Sequence, residues 1–233
     1  MYKKHDQLPN TEGQDTLWKY MSLSKFINLL NGKIYFNRVD CFEDVFESTY
    51  PIYNENHREE YYGDALIPKE KYNNIMDLSK QHTYVSCFHK NEYESAFMWK
   101  QYAGDEGVAI VTTVDRLKES FQYEENDIYI CDVQYIDYAK EYMPEGNMFY
   151  LSLYKRKSFV HENEVRCIFG DDIDTPKYNR KTGILMNIDL EKLIDKVYIS
   201  PYAPKYIEND VHNILLNKGL DVDVIYSPLY TIN

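Results

Sequence analysis

The sequence predicts an α+β domain with a central mixed or split sheet and flanking helices. Three observations carry that expectation. Short runs alternating at a period of two and runs with helical spacing follow one another without the regular strand–helix alternation of a doubly wound sheet. "GVAIVTT" (107–113) is apolar almost throughout, as in a strand with neighbours on both edges. The 233 residues are 44% hydrophobic and contain no internal repeat or low-complexity linker, which suits one unit spanning 1–233. Residues 1–15 are polar and read as a flexible N-terminal extension.

The elements follow in order. "LWKYM" (17–21) reads as a strand, then a helix capped by Ser22 or Ser24 runs to Leu30 and stops at Asn31–Gly32. "KIYFNRV" is a second strand. The stretch 40–56, "DCFEDVFESTYPIYNEN", has no clean period and reads as a long loop, a length associated with function. A helix over 69–81, a strand "TYVSCFHK" (83–90) and a helix "ESAFMWKQYAG" (94–104) precede the apolar strand. The helix "VDRLKESF", the strand "DIYICDVQYI" and an amphipathic helix "NMFYLSLYKRKSF" (147–159) come next. The last third gives a strand "GILMNIDL", a helix "LEKLID", a strand "KVYIS", a helix over 204–219 and a strand "VDVIYS".

Composition narrows the chemistry. The formal net charge of −12 repels a polyphosphate backbone, and the densest basic run, Lys155–Arg156–Lys157, reads as a solvated helix end, so direct nucleic-acid binding is disfavoured. The four cysteines are widely spaced and form no metal motif, so no metal is expected, and "DDID" (171–174) reads as a solvated turn. The absence of a leader-like N-terminus or a long apolar run predicts a cytoplasmic protein without a membrane partner. No glycine-rich phosphate loop and no nucleophile elbow is present.

One stretch remains to be explained, "FVHENEVRCIFG" (159–170). If the run from His161 to Phe169 is a strand, Val165, Cys167 and Phe169 share one face, and Glu162, Glu164 and Arg166 share the other. Two readings of that polar face stay open: a braced ion pair on the sheet, or a catalytic carboxylate pair. Trp99 and Tyr102 lie on an apolar helix and read first as core, second as a stacking platform. Asp44 and Glu47, in the long loop, read as ligand contacts or as surface charges.

Three blocks, "LWKYMSLSKFINLLNGKIYFNRVDCFEDVFES", "YVSCFHKNEYESAFMWKQYAGDEGVAI" and "KSFVHENEVRCIF", resemble the signature blocks of the bacterial domain-of-unknown-function family numbered twenty-nine seventy-one. Some of its members lie near phage-defence genes. More remotely, the order of polar strand, Ser-bearing strand and E-x-E strand is similar to the ADP-ribosyltransferase superfamily. That resemblance implies an enzyme that cleaves NAD as substrate and transfers ADP-ribose to a macromolecular acceptor, or hydrolyses NAD, in the manner of a toxin or defence effector. By motif, Lys19 with its neighbour Tyr20 takes the NAD-holding position of the first strand, where the superfamily carries Arg or His. Ser86 takes the ribose-supporting position, and Arg166, Trp99 and Tyr102 join the nucleotide site. Glu164 then stabilises the charge that develops on the ribose, and Glu162 accepts the nucleophile's proton. Two alternatives accompany this reading: a non-catalytic module that binds a nucleotide or a partner, and a nucleic-acid-directed enzyme on a related fold.

Overall fold

The structure, a computed structural model, describes residues 1–44, 46–65, 67–179 and 181–231. Val45, inside the expected long loop, lies outside them. The first alternating run forms β1 (Thr16–Ser22), and Ser22 caps α1 (Leu23–Leu29) by accepting from the Lys25 amide. β2 (Lys33–Arg38) follows, then α2 (Ile52–Tyr62), α3 (Lys69–His82) and β3 (Thr83–Lys90). A single helical turn, α4 (Ala96–Met98), widens into a π turn over Trp99–Ala103 and ends at Gly104. Beyond it lie β4 (Gly107–Thr113), α5 (Val114–Ser120), β5 (Tyr129–Asp132), β6 (Gln134–Ile136), β7 (Tyr154–Arg156) and β8 (Glu164–Gly170). β9 (Gly183–Asn187), α6 (Leu190–Leu193), β10 (Lys196–Ile199), α7 (Tyr206–Asn217) and β11 (Asp223–Tyr226) complete the chain order.

The main sheet runs β11-β10-β4-β1-β3-β2-β9, with β8 also on β3 and β5 on β8. It is mixed: β10 and β11 are parallel, and the other pairs of this sheet are antiparallel. It is also split, and β3 is the strand that splits it. One edge of β3 is occupied from Thr83 to His89 by β8. The opposite edge is shared: β1 meets it at His89 and Lys90, β2 at Tyr84 and Val85. As its apolar run suggests, β4 has a neighbour on each edge, β1 and β10. Gly107, its first residue, is required by close approach, because a Cβ there would lie 2.3 Å from that of Ala103.

Two stretches differ from the sequence expectation. The amphipathic helix over 147–159 is absent: a 3₁₀ turn (Met148–Ser152), β7 and a second 3₁₀ turn (Lys157–Glu162) occupy it. Local side-chain bonds compete with helix here, since the Asn147 side chain accepts from the Phe149 amide and Ser152 donates back to the Phe149 carbonyl. β7 then pairs in parallel with β6, so the expected single strand over 127–136 also breaks, at Val133. The expected loop after β2 already enters α2 at Ile52. The segment read as a flexible extension runs beside β5: Tyr2 bridges to Ile128 and Asn10 to Cys131, and Leu8 and Thr11 are buried.

Alternation gives the sheet two unlike faces. Leu17, Met21, Tyr84, Phe88, Val165, Cys167 and Phe169 belong to the principal apolar core. On the other side, Trp18, Tyr20, Met98 and Trp99 form an aromatic cluster at one end, and Val85 and Ile168 join a second apolar cluster at the other. Between these two clusters lies the polar face of β8.

Candidate active site

β8 begins one residue after a backbone turn that arranges the two acids. Asn163 adopts a left-handed conformation (φ 38°), tolerable for Asn, and its amide side chain donates to the Lys90 carbonyl at 2.6 Å. Glu162 therefore ends the 3₁₀ turn while Glu164 starts the strand, so the pair is not made by strand alternation alone. Their carboxylates meet at Lys155, from β7. Its ammonium donates to Glu164 Oε1 at 2.9 Å, makes a shorter contact with Glu162 Oε2, and lies 3.6 Å from Glu47. Arg166 completes the group: Nε donates to Glu164 Oε2 (2.7 Å), Nη1 to the Ser152 carbonyl (2.8 Å), and Nη2 to Glu47.

Little of this is open to water. Arg166 is 1% exposed, Glu162 4%, Lys155 5% and Glu164 6%. Burying such charges is tolerable because each has opposite charge and hydrogen bonds at hand. Counting Glu47, three carboxylates face two cations, which leaves one surplus negative charge when all are ionised. Electrostatics places that surplus on Glu162. Burial, then the neighbouring Glu164, pushes its carboxyl up to about 7. Burial alone would raise Glu164 too, but Arg166 and then Lys155 hold it well below the ordinary range. Burial works against the charged Lys155, and the attraction of Glu164 and Glu47 overrides it and raises its pKa. The result is a carboxylate pair with one member fixed as the anion and the other exchanging a proton near neutrality.

The exchanging member has the route outward. Tyr102, 43% exposed, donates its hydroxyl to Glu162 Oε1 at 2.8 Å. Tyr102 and Trp99 both lie on the π turn, a distortion frequent at functional sites. Trp99 is fully buried, its indole N–H donating to Glu94 at 2.8 Å and its ring meeting Tyr20 edge-on at 5.0 Å. His89, paired with Glu164 across the β3–β8 ladder, holds the Glu162 carbonyl at 2.6 Å through Nδ1, which must donate there because a carbonyl only accepts. Burial lowers the His89 pKa, so the ring is neutral, and its buried Nε2 has no hydrogen-bond partner among the described residues.

Six of the eight residues that the superfamily resemblance assigns to the site therefore lie on this side of the sheet: Glu162, Glu164, Arg166, Tyr20, Trp99 and Tyr102. Lys19 and Ser86 do not. Lys19 shares its strand face with Leu17 and Met21, and Ser86 shares its own with Tyr84 and Phe88, all members of the opposite core. Lys19 Nζ donates to Ser86 Oγ and to the Cys87 carbonyl, each at 2.9 Å, and sits 4.7 Å from the Phe88 ring centroid. Burial lowers its pKa. These two residues form their own contact behind the sheet, not one wall of a cleft containing Glu164. Sequence does not single out Lys155, because its basic run reads as a solvated helix end. Glu47 was noticed, but nothing in its loop indicated that it would reach Arg166. Among the described residues, no group of His, Cys, Asp and Glu is suited to a metal ion, and no helix is long and apolar enough to cross a membrane.

Comparison with known proteins adds the following. Residues 98–167 match the model of a family described as protein of unknown function (DUF2971). That span contains Trp99, Tyr102, Lys155, Glu162, Glu164 and Arg166, and excludes Lys19, Tyr20, Glu47 and Ser86. No curated protein matches the chain. Two solved structures are similar to it, both of DarT from Thermus sp. 2.9. The one in complex with ADP-ribosylated ssDNA is 8% identical with a TM-score of 0.39, over 91% of this chain and 94% of that one. The one in complex with NAD+ is 7% identical with a TM-score of 0.40, over 91% of this chain and 95% of that one.

Proposed function

We propose that this protein is an ADP-ribosyltransferase-like enzyme that cleaves NAD at the nicotinamide–ribose bond and passes ADP-ribose to an acceptor, with Glu162 and Glu164 at its centre. The observation that carries the reading is the carboxylate pair bridged by Lys155, one member fixed as the anion and the other titrating near neutrality beside a half-exposed tyrosine. Departure of nicotinamide with the bonding electrons leaves positive charge on the ribose. A carboxylate held beside the ribose in a water-poor site stabilises that charge more than it stabilises the ground state, in which the positive charge sits on the nicotinamide ring. Glu162 carries the surplus negative charge of the group and is the member in contact with Tyr102. It is therefore suited both to face the ribosyl cation and to take the proton of the incoming nucleophile.

This reading changes the roles of the other residues. Lys155 and Arg166 are positioning residues that keep Glu164 ionised and both acids aligned, and Tyr102 orients Glu162. The nucleotide is proposed to lie on the side of the sheet that carries Tyr20, His89 and Tyr102, opposite the Lys19–Ser86 contact, where His89 Nε2 is an acceptor without a partner among the described residues. The acceptor of ADP-ribose is a macromolecule or water.

The direct test is to incubate the purified protein with NAD and follow free nicotinamide. Because Glu162 acts as the anion, release is expected to rise with pH through about 7 and level off above it. Absence of nicotinamide release at any pH, with protein, nucleic-acid and water acceptors all supplied, would sink the enzymatic reading. A second reading would then lead, because Arg166 already spends Nε, Nη1 and Nη2 on protein acceptors. In that case the charged group braces a non-catalytic binding module.

A further inference from the structure

A cleft of about 340 Å³ lies away from the carboxylate pair, between α2, α3 and the segment that ends in the 3₁₀ turn Met148–Ser152. Its size is within the range of small-molecule sites. One part of its lining is apolar, from Ile67, Ile75, Met76, Met148 and Leu151. The other is polar and rigidly built. Arg58 donates to Glu145 at 2.9 Å, with 14% and 6% of the two side chains exposed, and its guanidinium lies 3.4 Å from the centroid of the Tyr72 ring. The other oxygen of Glu145 accepts from the buried Asn54 at 2.9 Å, and Asn54 is itself fixed by two bonds to the backbone of Met143.

Within this ordered arrangement the Tyr72 hydroxyl faces Glu145 but makes no close hydrogen bond. The residue is 8% exposed and lines the cleft, yet among the described residues its buried oxygen has no close hydrogen-bond partner. A buried hydroxyl without a partner costs free energy that a ligand would recover. Arg58 lies over the Tyr72 ring and Tyr50 stacks with it at 5.4 Å, which leaves the ring edge to a ligand. Burial and then the charge of Glu145 raise its pKa, so the hydroxyl stays protonated and acts as a donor. Beside it the Glu145 carboxylate, bonded to Arg58 and Asn54, also faces the Tyr62 and Tyr72 hydroxyls, and it is the acceptor that a ligand's donor would share.

We infer that this cleft binds a small planar ring carrying a hydrogen-bond acceptor and a donor side by side, the edge presented by a nucleobase amidine or an aromatic carboxamide. The acceptor takes the Tyr72 hydroxyl, the donor addresses Glu145, and the ring lies among Ile67, Ile75 and the two methionines, whose thioethers adapt to flat ligands. This site does not depend on NAD cleavage, and its test is separate.

The test is a calorimetric titration of the intact protein with adenine and cytosine in one arm and benzamide in the other. Methyl benzoate, which keeps the ring and the acceptor but lacks the donor, is the control. One arm at least is expected to saturate with a Kd on the order of 0.1–1 mM, and which arm does so distinguishes the two sources of the edge. Tyr72→Phe removes only the hydroxyl and should weaken binding about tenfold. Ile75 is 47% exposed at the cleft, so Ile75→Trp narrows the opening without disturbing the core and should abolish binding. Circular dichroism verifies that each variant is folded, and if Tyr72→Phe fails that check Ile75→Trp decides. No saturable binding in either arm, equal binding of methyl benzoate, or binding unchanged by a folded variant would each overturn the inference.

Discussion

β8 and β3 present two faces built by the same alternation and stabilised by opposite means. On one, Val165, Cys167 and Phe169 meet Tyr84 and Phe88 in a continuous apolar core, where the sheet gains by leaving water. On the other, Glu164 and Arg166 are as thoroughly buried, but among charges, and what holds them is mutual neutralisation. An apolar face tolerates loss in proportion to the volume removed. A charged face does not, because removing one partner leaves another unpaired in a place that cannot hydrate it. The comparison also explains why Lys19 and Glu164, both polar residues on strands of one sheet, do not cooperate: the sheet itself separates them.

The largest expected effect lies on the charged face. Arg166→Met leaves Glu164 and Glu47 short of a counter-charge and should cost roughly 3–5 kcal/mol in urea unfolding at pH 7. Phe88→Ala, on the apolar face, should cost a similar 3–5 kcal/mol by cavity formation, but the same amount at pH 5 and pH 8. If Arg166→Met showed the same indifference to pH, or cost less than about 1 kcal/mol, the two faces would not differ in kind.

Next comes Glu162→Gln, which keeps shape and removes the titrating charge. Nicotinamide release should fall about a hundredfold, equivalent to about 2.7 kcal/mol, and the rise with pH through neutrality should vanish. Stability should move the other way. In the wild type, the raised pKa of Glu162 favours the folded state when the carboxyl is protonated. That contribution is complete below the ordinary value of 4.5 and is lost as pH rises towards about 7. Glu164, held low, contributes above its ordinary value and loses that contribution as pH falls. Glu162→Gln should therefore unfold no more easily than the wild type at pH 8, and thermal melts across pH 5–8 would show it. A variant markedly less stable at pH 8 would mean that the ionised Glu162 is needed for folding.

Asn163→Val follows. A β-branched residue is strained in the left-handed region, and the bond to the Lys90 carbonyl is lost with the amide, for a cost of roughly 1–3 kcal/mol. Because Asn163 stands between the acids, turnover should fall further than stability alone explains, which kinetics at a temperature well below the melt would reveal. The smallest effect is expected for Lys19→Met. It gives up two hydrogen bonds but also a charge beside Phe88, and should change stability by about 1 kcal/mol or less while leaving nicotinamide release unchanged. A tenfold loss of release would return Lys19 to the site.

Much of this arrangement is visible in the sequence, and the exceptions are instructive. The apolar run of β4, the alternation of β1, β3 and β8, and the apolar company of Trp99 are strong local signals. So is the polar face of "ENEVR" with its apolar back. The two faces could also have been separated from sequence. Lys19 is flanked at a distance of two by Leu17 and Met21, and Ser86 by Tyr84 and Phe88, whereas Glu164 and Arg166 alternate with Val165 and Cys167. Parity relative to the core, not the mere presence of polar residues on strands, is what decides who meets whom. Lys155 was beyond such reasoning. In "YKRKS" three adjacent cations look equivalent, and only the pairing of β7 with β6 points Lys155 inward while Lys157 stays in solvent. Glu47 reaches Arg166 from a loop whose path no periodicity encodes.

The split at β3 has a consequence for how the chain acquires its structure. Thr83 to His89 must receive β8 on one edge, from Glu164 to Gly170, while the other edge accepts both β1 and β2. None of these contacts is local in the chain, so loop closure precedes the gain from each, and the topology belongs with the slower folders. The β8 half of that assembly brings ionised carboxylates out of water. Refolding should therefore be slower above neutral pH, where Glu162 must shed its hydration as an anion, than at pH 5, where it takes up a proton as it is buried and β8 docks with one charge fewer to hold.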